Sequence, residues 1–381
     1  MNFDTFLEID LKKLASNTIA LCNSYSDYKV KFADLKNNAY GMGFEIVNTL
    51  VNNGINYLFV GSLKDALEIR KINTTIPIVV NYPVEGEQIY DCINNNIAII
   101  IDSVNYLKHI KELKTKDKLK VHILLDNGSN KVGISSKDEF KKIINLIKEM
   151  EFIEFEGIYS NITSLGVNDD FYYEQMCNIN DIMSGLNNKD IIVYFNEPIM
   201  YHSKKEKING IKFDLSLIGI EENIDDSFFT KMHIKRIEKK YMDLEFPNVD
   251  LELIFSVTSE ISQIKKVKKN SLIGRNYIAK QDGFVGIVPV GHKDGITKAF
   301  NFVGINGIKR QILTDEIDYI VVDVDESNAP YDKVYIINED RQIYELLDLL
   351  KTNRYYLMSV LNSKISRKYV NNIDNSTKNY L

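Results

Sequence analysis

The sequence predicts an α/β chain, with a (β/α)8 barrel first and a mostly β domain after it. Three observations predict this. Strand-like and helix-like segments alternate over about the first 220 residues, the pattern of a parallel sheet. The strand-like runs are apolar on both faces and rich in Val and Ile, as strands covered on both sides are. Beyond about residue 240 candidate strands follow one another without helices between them, which signals a β domain.

Eight runs supply the barrel strands: 29–36, 57–62, 77–83, 97–103, 120–128, 155–162, 190–198 and 213–220. Eight units in this length suit a closed barrel better than an open sheet. Helical patterns lie between most of them. Val47, Leu50 and Val51 form an i, i+3, i+4 stripe that ends at Gly54, a C′ residue by type. Phe140, Ile143, Ile144 and Ile147 form another, after Ser136 with Glu139 three residues on, a capping-box pattern. The later strands read as "LELIFSVTSEISQIKKV", "SLIGRNYIA", "GFVGIVPVG", "KAFNFVGI", "IDYIVVDV" and "KVYIIN", with one late helix, "DRQIYELLDLLK". The expected division is 1–238 for the barrel and 239–381 for the β domain, whose tail is polar.

Composition narrows the class of function. Apolar residues make up 44% and charged residues 26% of the 381 positions, enough for a sizeable core. The net charge of −6 gives no reason to expect nucleic acid. No apolar run approaches a membrane span of ~18 residues, and the first residues lack a signal-peptide pattern. A cytoplasmic protein is expected. Cys22, Cys92 and Cys177 are far apart and odd in number, so they read as reduced thiols. None of the five histidines has metal-ligand spacing.

Chemistry in such a barrel sits at the C-terminal ends of the strands. Lys36 ends the first expected strand, and "NNAYGMG" follows it. A lysine there, beside main chain that glycine lets a ligand approach, suits Schiff-base chemistry. Taken alone, the stretch also suits an ordinary turn with a solvated lysine.

A longer pattern bears on that choice. "FLEIDLKKLASN", "KNNAYGMG", "FVGSLKDALEIR", "VHILLDNGSNKVGI", "FEGIYSNI", "LIGI", "SLIGRNYIA", "GIVPVGHKDG" and "RQILTDE" occur in this order. In order and spacing, from residue 6 to about 369, the chain resembles the alanine racemase family of fold-type III pyridoxal 5′-phosphate (PLP) enzymes. The resemblance implies a barrel followed by a β domain, and a head-to-tail homodimer with shared active sites and an amino-acid substrate. It implies that Lys36 is the Schiff-base lysine for PLP, and that Tyr40 matches the tyrosine of the lysine motif. Gly219 and Ile220 match a pair whose backbone N–H groups hold the cofactor phosphate. Tyr355 matches a late tyrosine that reaches the same phosphate. Lys131 and Asp315 match substrate-binding positions, Asp315 being contributed by the partner subunit. Asn196 matches a residue with a structural role.

Other family positions carry different residues. The tyrosine that serves as second catalytic base is Ile273, which cannot transfer a proton. The arginine facing the pyridine nitrogen falls at Leu217. A second arginine becomes Lys131, which keeps charge but loses the planar fork. A lysine becomes Leu124, a histidine Asn161, and the histidine of the lysine motif Met42. A phosphate-donating serine becomes Glu197, whose charge would repel a phosphate. Racemisation needs an acid–base group on each face of Cα; Lys36 serves one, and for the other Tyr277 and His292 are nearby in sequence. Three functions stay open: a PLP enzyme with one-sided Cα chemistry, a degenerate homologue that binds PLP or an amino acid as a regulatory protein, and a racemase or epimerase with a relocated base.

Overall fold

The computed structural model describes residues 5–162, 169–186, 190–196, 208–220, 249–296, 300–338, 340–361 and 365–371. The chain opens with β1 (Phe6–Asp10). Eight parallel strands then close a barrel: β2 (Val30–Asp34), β3 (Tyr57–Val60), β4 (Ile78–Val80), β5 (Ile97–Ile101), β6 (Leu119–Leu125), β7 (Ile153–Ser160), β8 (Ile192–Asn196) and β9 (Gly210–Phe213). Closure is made by β9 pairing with β2, Phe213 beside Ala33. Four of these strands, β3, β4, β5 and β9, are buried at every position because helices cover the outside and side chains fill the inside.

Local signals in the sequence act as expected. The helix Val47–Asn52 buries Val47 and Leu50, and Gly54 follows its cap at φ +118°. The helix Lys137–Glu149 starts at Ser136, whose hydroxyl accepts from the Glu139 N–H. The other half of the box is displaced by one residue: the Glu139 carboxylate accepts from the N–H of Ser135 at 3.4 Å.

The eighth strand is a correction. It runs over Gly210–Phe213, not 213–220. Asp214 ends it, and the apolar "LSLI" that follows is a single 3-10 turn, Leu215–Ile218, buried at all four residues. The Asp214 carboxylate accepts from the Leu215 N–H at 2.6 Å and so starts the turn. Gly219 stops it at φ +80°, against the main chain of Glu252, where a Cβ would lie 2.0 Å from the carbonyl oxygen.

The second sheet has nine strands in the order β11-β14-β17-β16-β15-β18-β10-β1-β19. Its members are β10 (Phe255–Glu260), β11 (Gln263–Val267), β14 (Gly283–Val288), β15 (Phe302–Ile305), β16 (Ile308–Asp315), β17 (Ile320–Val324), β18 (Lys333–Ile337) and β19 (Ser366–Val370), together with β1. "SLIGRNYIA" is a separate two-stranded hairpin, β12 (Leu272–Ile273) and β13 (Tyr277–Ile278). β1 lies between β10 and β19, so the N-terminal strand joins the second sheet before the chain enters the barrel. The expected division at residue 238 lies outside the described residues. The late helix is present as Asp340–Leu350, followed by a shorter one, Arg354–Val360.

The barrel interior is aromatic where branched aliphatics usually dominate. Phe32, Tyr57, Phe59, Tyr159 and Tyr194 fill it, with Val79, Ala98, Ile100 and Leu124. Tyr194 stacks on Phe32 at 4.0 Å between ring centroids and on Tyr159 at 5.0 Å. Such pairs add about 0.5–1.5 kcal/mol each beyond the area they bury. This stack gives the mouth of the barrel a rigid floor.

Candidate active site

Lys36 follows β2 at the C-terminal mouth of the barrel. Its backbone N–H donates to Asp34 Oδ1 at 3.1 Å, and its Nζ lies 3.1 Å from Asp34 Oδ2. The Lys36 side chain is 34% exposed while that of Asp34 is fully buried, so a ligand can reach the amine but not its counter-ion. Phe59 lies beneath, its ring centroid 5.5 Å from Nζ.

The next four residues, Asn37 to Tyr40, all have φ between +52° and +55°. They make a left-handed turn, which costs L-residues other than Asn about 1–2 kcal/mol each. Main-chain carbonyls of this segment accept from the far end of the chain. Arg367 Nε donates to the Gly41 carbonyl at 2.9 Å, and the Tyr369 hydroxyl to the Met42 carbonyl at 2.8 Å. Gly43, at φ +85°, has no room for a Cβ, which would lie 2.2 Å from the Tyr369 hydroxyl. The turn aims Tyr40 into the mouth, where it is buried with its ring 6.2 Å from that of Tyr355.

A second buried cation, not expected from the sequence, stands beside Lys36. Lys212 on β9 donates to Asp34 Oδ2 at 2.5 Å and sits above Phe59 and Tyr159. Burial alone would raise the Asp34 carboxyl, but Lys212 and then Lys36 outweigh it and hold it below the usual range. Asp34 therefore stays ionised and fixes both ammonium groups. Burial, reinforced by Asp34 and Asp214, pushes the Tyr40 hydroxyl well above its ordinary value. It remains a proton donor. Burial raises Tyr159 as well, against a smaller opposing effect of Lys36, and its hydroxyl donates to Asn161 Oδ1 at 3.3 Å.

Tyr355 also reaches the mouth. Its hydroxyl donates to Asp214 Oδ2 at 2.6 Å and accepts from the Arg354 guanidinium at 3.3 Å. Of the residues that could hold PLP, Lys36, Tyr40 and Tyr355 thus converge. Gly219 and Ile220, the pair expected at the cofactor phosphate, lie at the end of the 3-10 turn. Their N–H groups donate to the carbonyls of Ser216 and Leu215 and close the 3-10 turn. Leu217 packs in the hydrophobic core at 2% exposure, and the cation at this strand end is Lys212. Leu124 lines the aromatic interior, and Met42 is fully buried. Asn196 clamps the main chain of Ile162, accepting from its N–H at 2.8 Å and donating to its carbonyl at 3.1 Å. Glu197 lies outside the described residues.

Lys131 and Asp315, the two expected substrate-binding residues, lie on other elements of the chain. Lys131 is exposed on the loop after β6. Asp315, at the end of β16, pairs with His292 Nε2 at 2.6 Å. This pair is next to the β12–β13 hairpin, where Gly274 abuts Thr314 and Arg275 pairs with Glu316 at 3.2 Å. Ile273 in that hairpin is packed with Ala279, Val285 and Val321, and Tyr277 lies against the same cluster. Among the described residues there is no cluster of side chains able to hold a metal ion, and no helix long and apolar enough to cross a membrane.

Lys212 and Asp214 had one signal in the sequence, the short run "GIKFD" ahead of a longer apolar one. The longer run masks it, because an apolar stretch buried in a turn looks like a strand.

The comparisons with known proteins agree with this architecture. The alanine racemase N-terminal domain model matches residues 9–195, and the C-terminal domain model matches residues 254–369. Alanine racemase of Halalkalibacterium halodurans is 25% identical, over 96% of this chain and 95% of its own. That of Lactococcus lactis subsp. lactis is 26% identical, over 95% and 96%. The crystal structure of alanine racemase from Bacillus anthracis with bound L-Ala-P superposes with a TM-score of 0.83 at 21% identity, covering 97% of this chain and 96% of that one. The histidine racemase from Leuconostoc mesenteroides subsp. sake has the same fold, with a TM-score of 0.82 at 19% identity over 97% and 100%. With both domain models matched in order along the barrel and the β domain, the chain belongs to the alanine racemase family, whose members are PLP-dependent enzymes.

Proposed function

We propose that the chain is a PLP-dependent enzyme acting at Cα of an amino acid through Lys36, and that it works as a cytoplasmic homodimer. The observation that carries this reading is the placement of Lys36. Its amine is reachable at the barrel mouth, above a rigid aromatic floor, and fixed by a buried carboxylate 3.1 Å away. Tyr40 and Tyr355 stand beside it, so the residues present fit the cofactor at its aldehyde end and supply a hydroxyl at the other.

Bound PLP supplies an electron sink for charge that develops at Cα. The residues of the chain do the rest. Lys36 would hold the cofactor at its aldehyde carbon, and its free amine would hold or move a proton on one face of Cα. Asp34, ionised and buried, orients the amine between turnovers. Lys212 shares that carboxylate and fills the space below with positive charge. Tyr40 stays protonated and donates a hydrogen bond into the site. The opposite face has no base at Ile273, which is buried among apolar side chains. Lys36 alone supports exchange of the Cα proton with retention, or decarboxylation. Inversion requires a second group, and Tyr277 and the His292–Asp315 pair are titratable groups beside Ile273 in and around the hairpin.

Borohydride reduction of the purified protein with PLP is expected to fix the cofactor on Lys36, read by peptide mass. A screen of amino acids in deuterated water then separates the chemistries. Deuterium at Cα without inversion marks one-sided chemistry, and inversion marks racemisation. Failure to trap PLP on Lys36 would overturn the reading. A second reading, a regulatory protein that binds PLP or an amino acid, is favoured by Ile273. Trapping with neither exchange nor inversion for any amino acid would select it.

A further inference from the structure

The hydroxyl expected to serve the cofactor phosphate, that of Tyr355, already donates to a carboxylate of this chain. Asp214 is 6% exposed. Its Oδ2 accepts from Tyr355 at 2.6 Å, its Oδ1 accepts from the Leu215 N–H at 2.6 Å, and the Tyr355 hydroxyl in turn lies 3.3 Å from Arg354. Asp214 is placed here as the residue that ends β9 and caps the 3-10 turn, two positions after Lys212.

We propose that Asp214 is a built-in competitor of the cofactor phosphate, which makes this chain select weakly for PLP over its phosphate-free aldehyde, pyridoxal. The inference rests on the proposed function for the role of Lys36, and concerns the other end of the cofactor. A phosphate that takes the Tyr355 hydroxyl must displace a carboxylate of like charge or accept it as a neighbour, and both oppose binding. Of the described cations, Lys36 and Lys212 are already paired with Asp34, and Arg354 is held on the Tyr355 hydroxyl at 3.3 Å and the Ile220 carbonyl at 3.4 Å. Pyridoxal carries no phosphate and meets no such opposition. The two ligands differ at the 5′ substituent, so the change in their difference on substitution of Asp214 isolates that residue.

The test titrates the full-length chain with PLP and with pyridoxal, following visible absorbance and borohydride-fixed mass on Lys36. Asp214→Asn keeps an acceptor for the Leu215 N–H and removes the charge; circular dichroism and a thermal melt check its fold. PLP is expected to bind the Asn variant about tenfold or more tightly than it binds the native chain. Pyridoxal affinity is expected to change by less than about twofold. In a Tyr355→Phe background the gain from Asp214→Asn is expected to shrink, because the phosphate's donor is gone. Equal shifts for the two aldehydes, or no shift for PLP, would overturn the proposal and leave Lys36 as the cofactor lysine. If neither aldehyde is trapped on Lys36 in either protein, the proposed function falls, and this inference with it.

Discussion

The floor and the mouth of the barrel both bury charge, but they balance it differently. Below the aromatic stack, His122 lies 2.9 Å from Glu156, 3.1 Å from the Tyr194 hydroxyl and 3.3 Å from that of Tyr57. The Tyr57 hydroxyl donates to Glu156, and Lys120 pairs with the same carboxylate at 2.9 Å. Four strands contribute, and the groups satisfy one another. At the mouth, one carboxylate serves two lysines and a second takes up a hydroxyl that a ligand would use. The difference teaches where the chain stores stability and where it keeps a reachable group. Lys36 is the partly exposed member of its triad, while His122 is fully buried.

Substitutions can break or sharpen this contrast. The largest effect on function is expected from Lys36→Ala, which should abolish borohydride-fixed cofactor. Its urea unfolding free energy should move by less than about 1 kcal/mol, because Asp34 keeps Lys212. Glu156→Leu should act in the opposite sense. It strands His122, Tyr57 and Lys120, and a loss of about 3 kcal/mol in urea unfolding is expected. If Glu156→Leu were as stable as the native chain, the floor would not be the stability element described here.

Lys212→Met tests the boundary between the two designs. It leaves the fully buried Asp34 with Lys36 alone, and a loss of about 2 kcal/mol is expected, with weaker cofactor binding. A stable variant with unchanged cofactor affinity would remove Lys212 from both roles. Acid provides a softer probe. Burial would raise Glu156, but the hydrogen bonds and charge of His122, with Tyr57 and Lys120, bring it down from 4.5 to about 2. Because the folded value is the lower one, this stability is present above about pH 4.5 and is lost as pH falls toward 2. Glu156→Gln should flatten the pH dependence of unfolding in that window. The smallest effect is expected for Tyr355→Phe, below about 1 kcal/mol in unfolding, since Tyr355 is 43% exposed.

Much of this molecule is legible in the sequence, and the exceptions have a common cause. The barrel strands declare themselves by continuous apolar runs, and Lys36 by its place at the end of one. Lys212 and Asp214 do not, because "LSLIGI" is apolar for burial in a tight turn and imitates a strand. The floor is hidden for a different reason. His122 sits in "VHILL" and Glu156 in "FEGIY", and only barrel closure brings them together with Tyr57 and Tyr194. Side-chain networks that cross several strands leave no periodic trace in one chain. The dyad of His292 and Asp315 was legible as two residues but not as a pair.

The left-handed turn after Lys36 has a consequence in time. Its carbonyls at Gly41 and Met42 are held by Arg367 and Tyr369, which lie 326 and 327 residues downstream. Long-range closures of this kind form late in folding. The carbonyls of the segment after Lys36 are therefore secured only once β19 has docked beside β1.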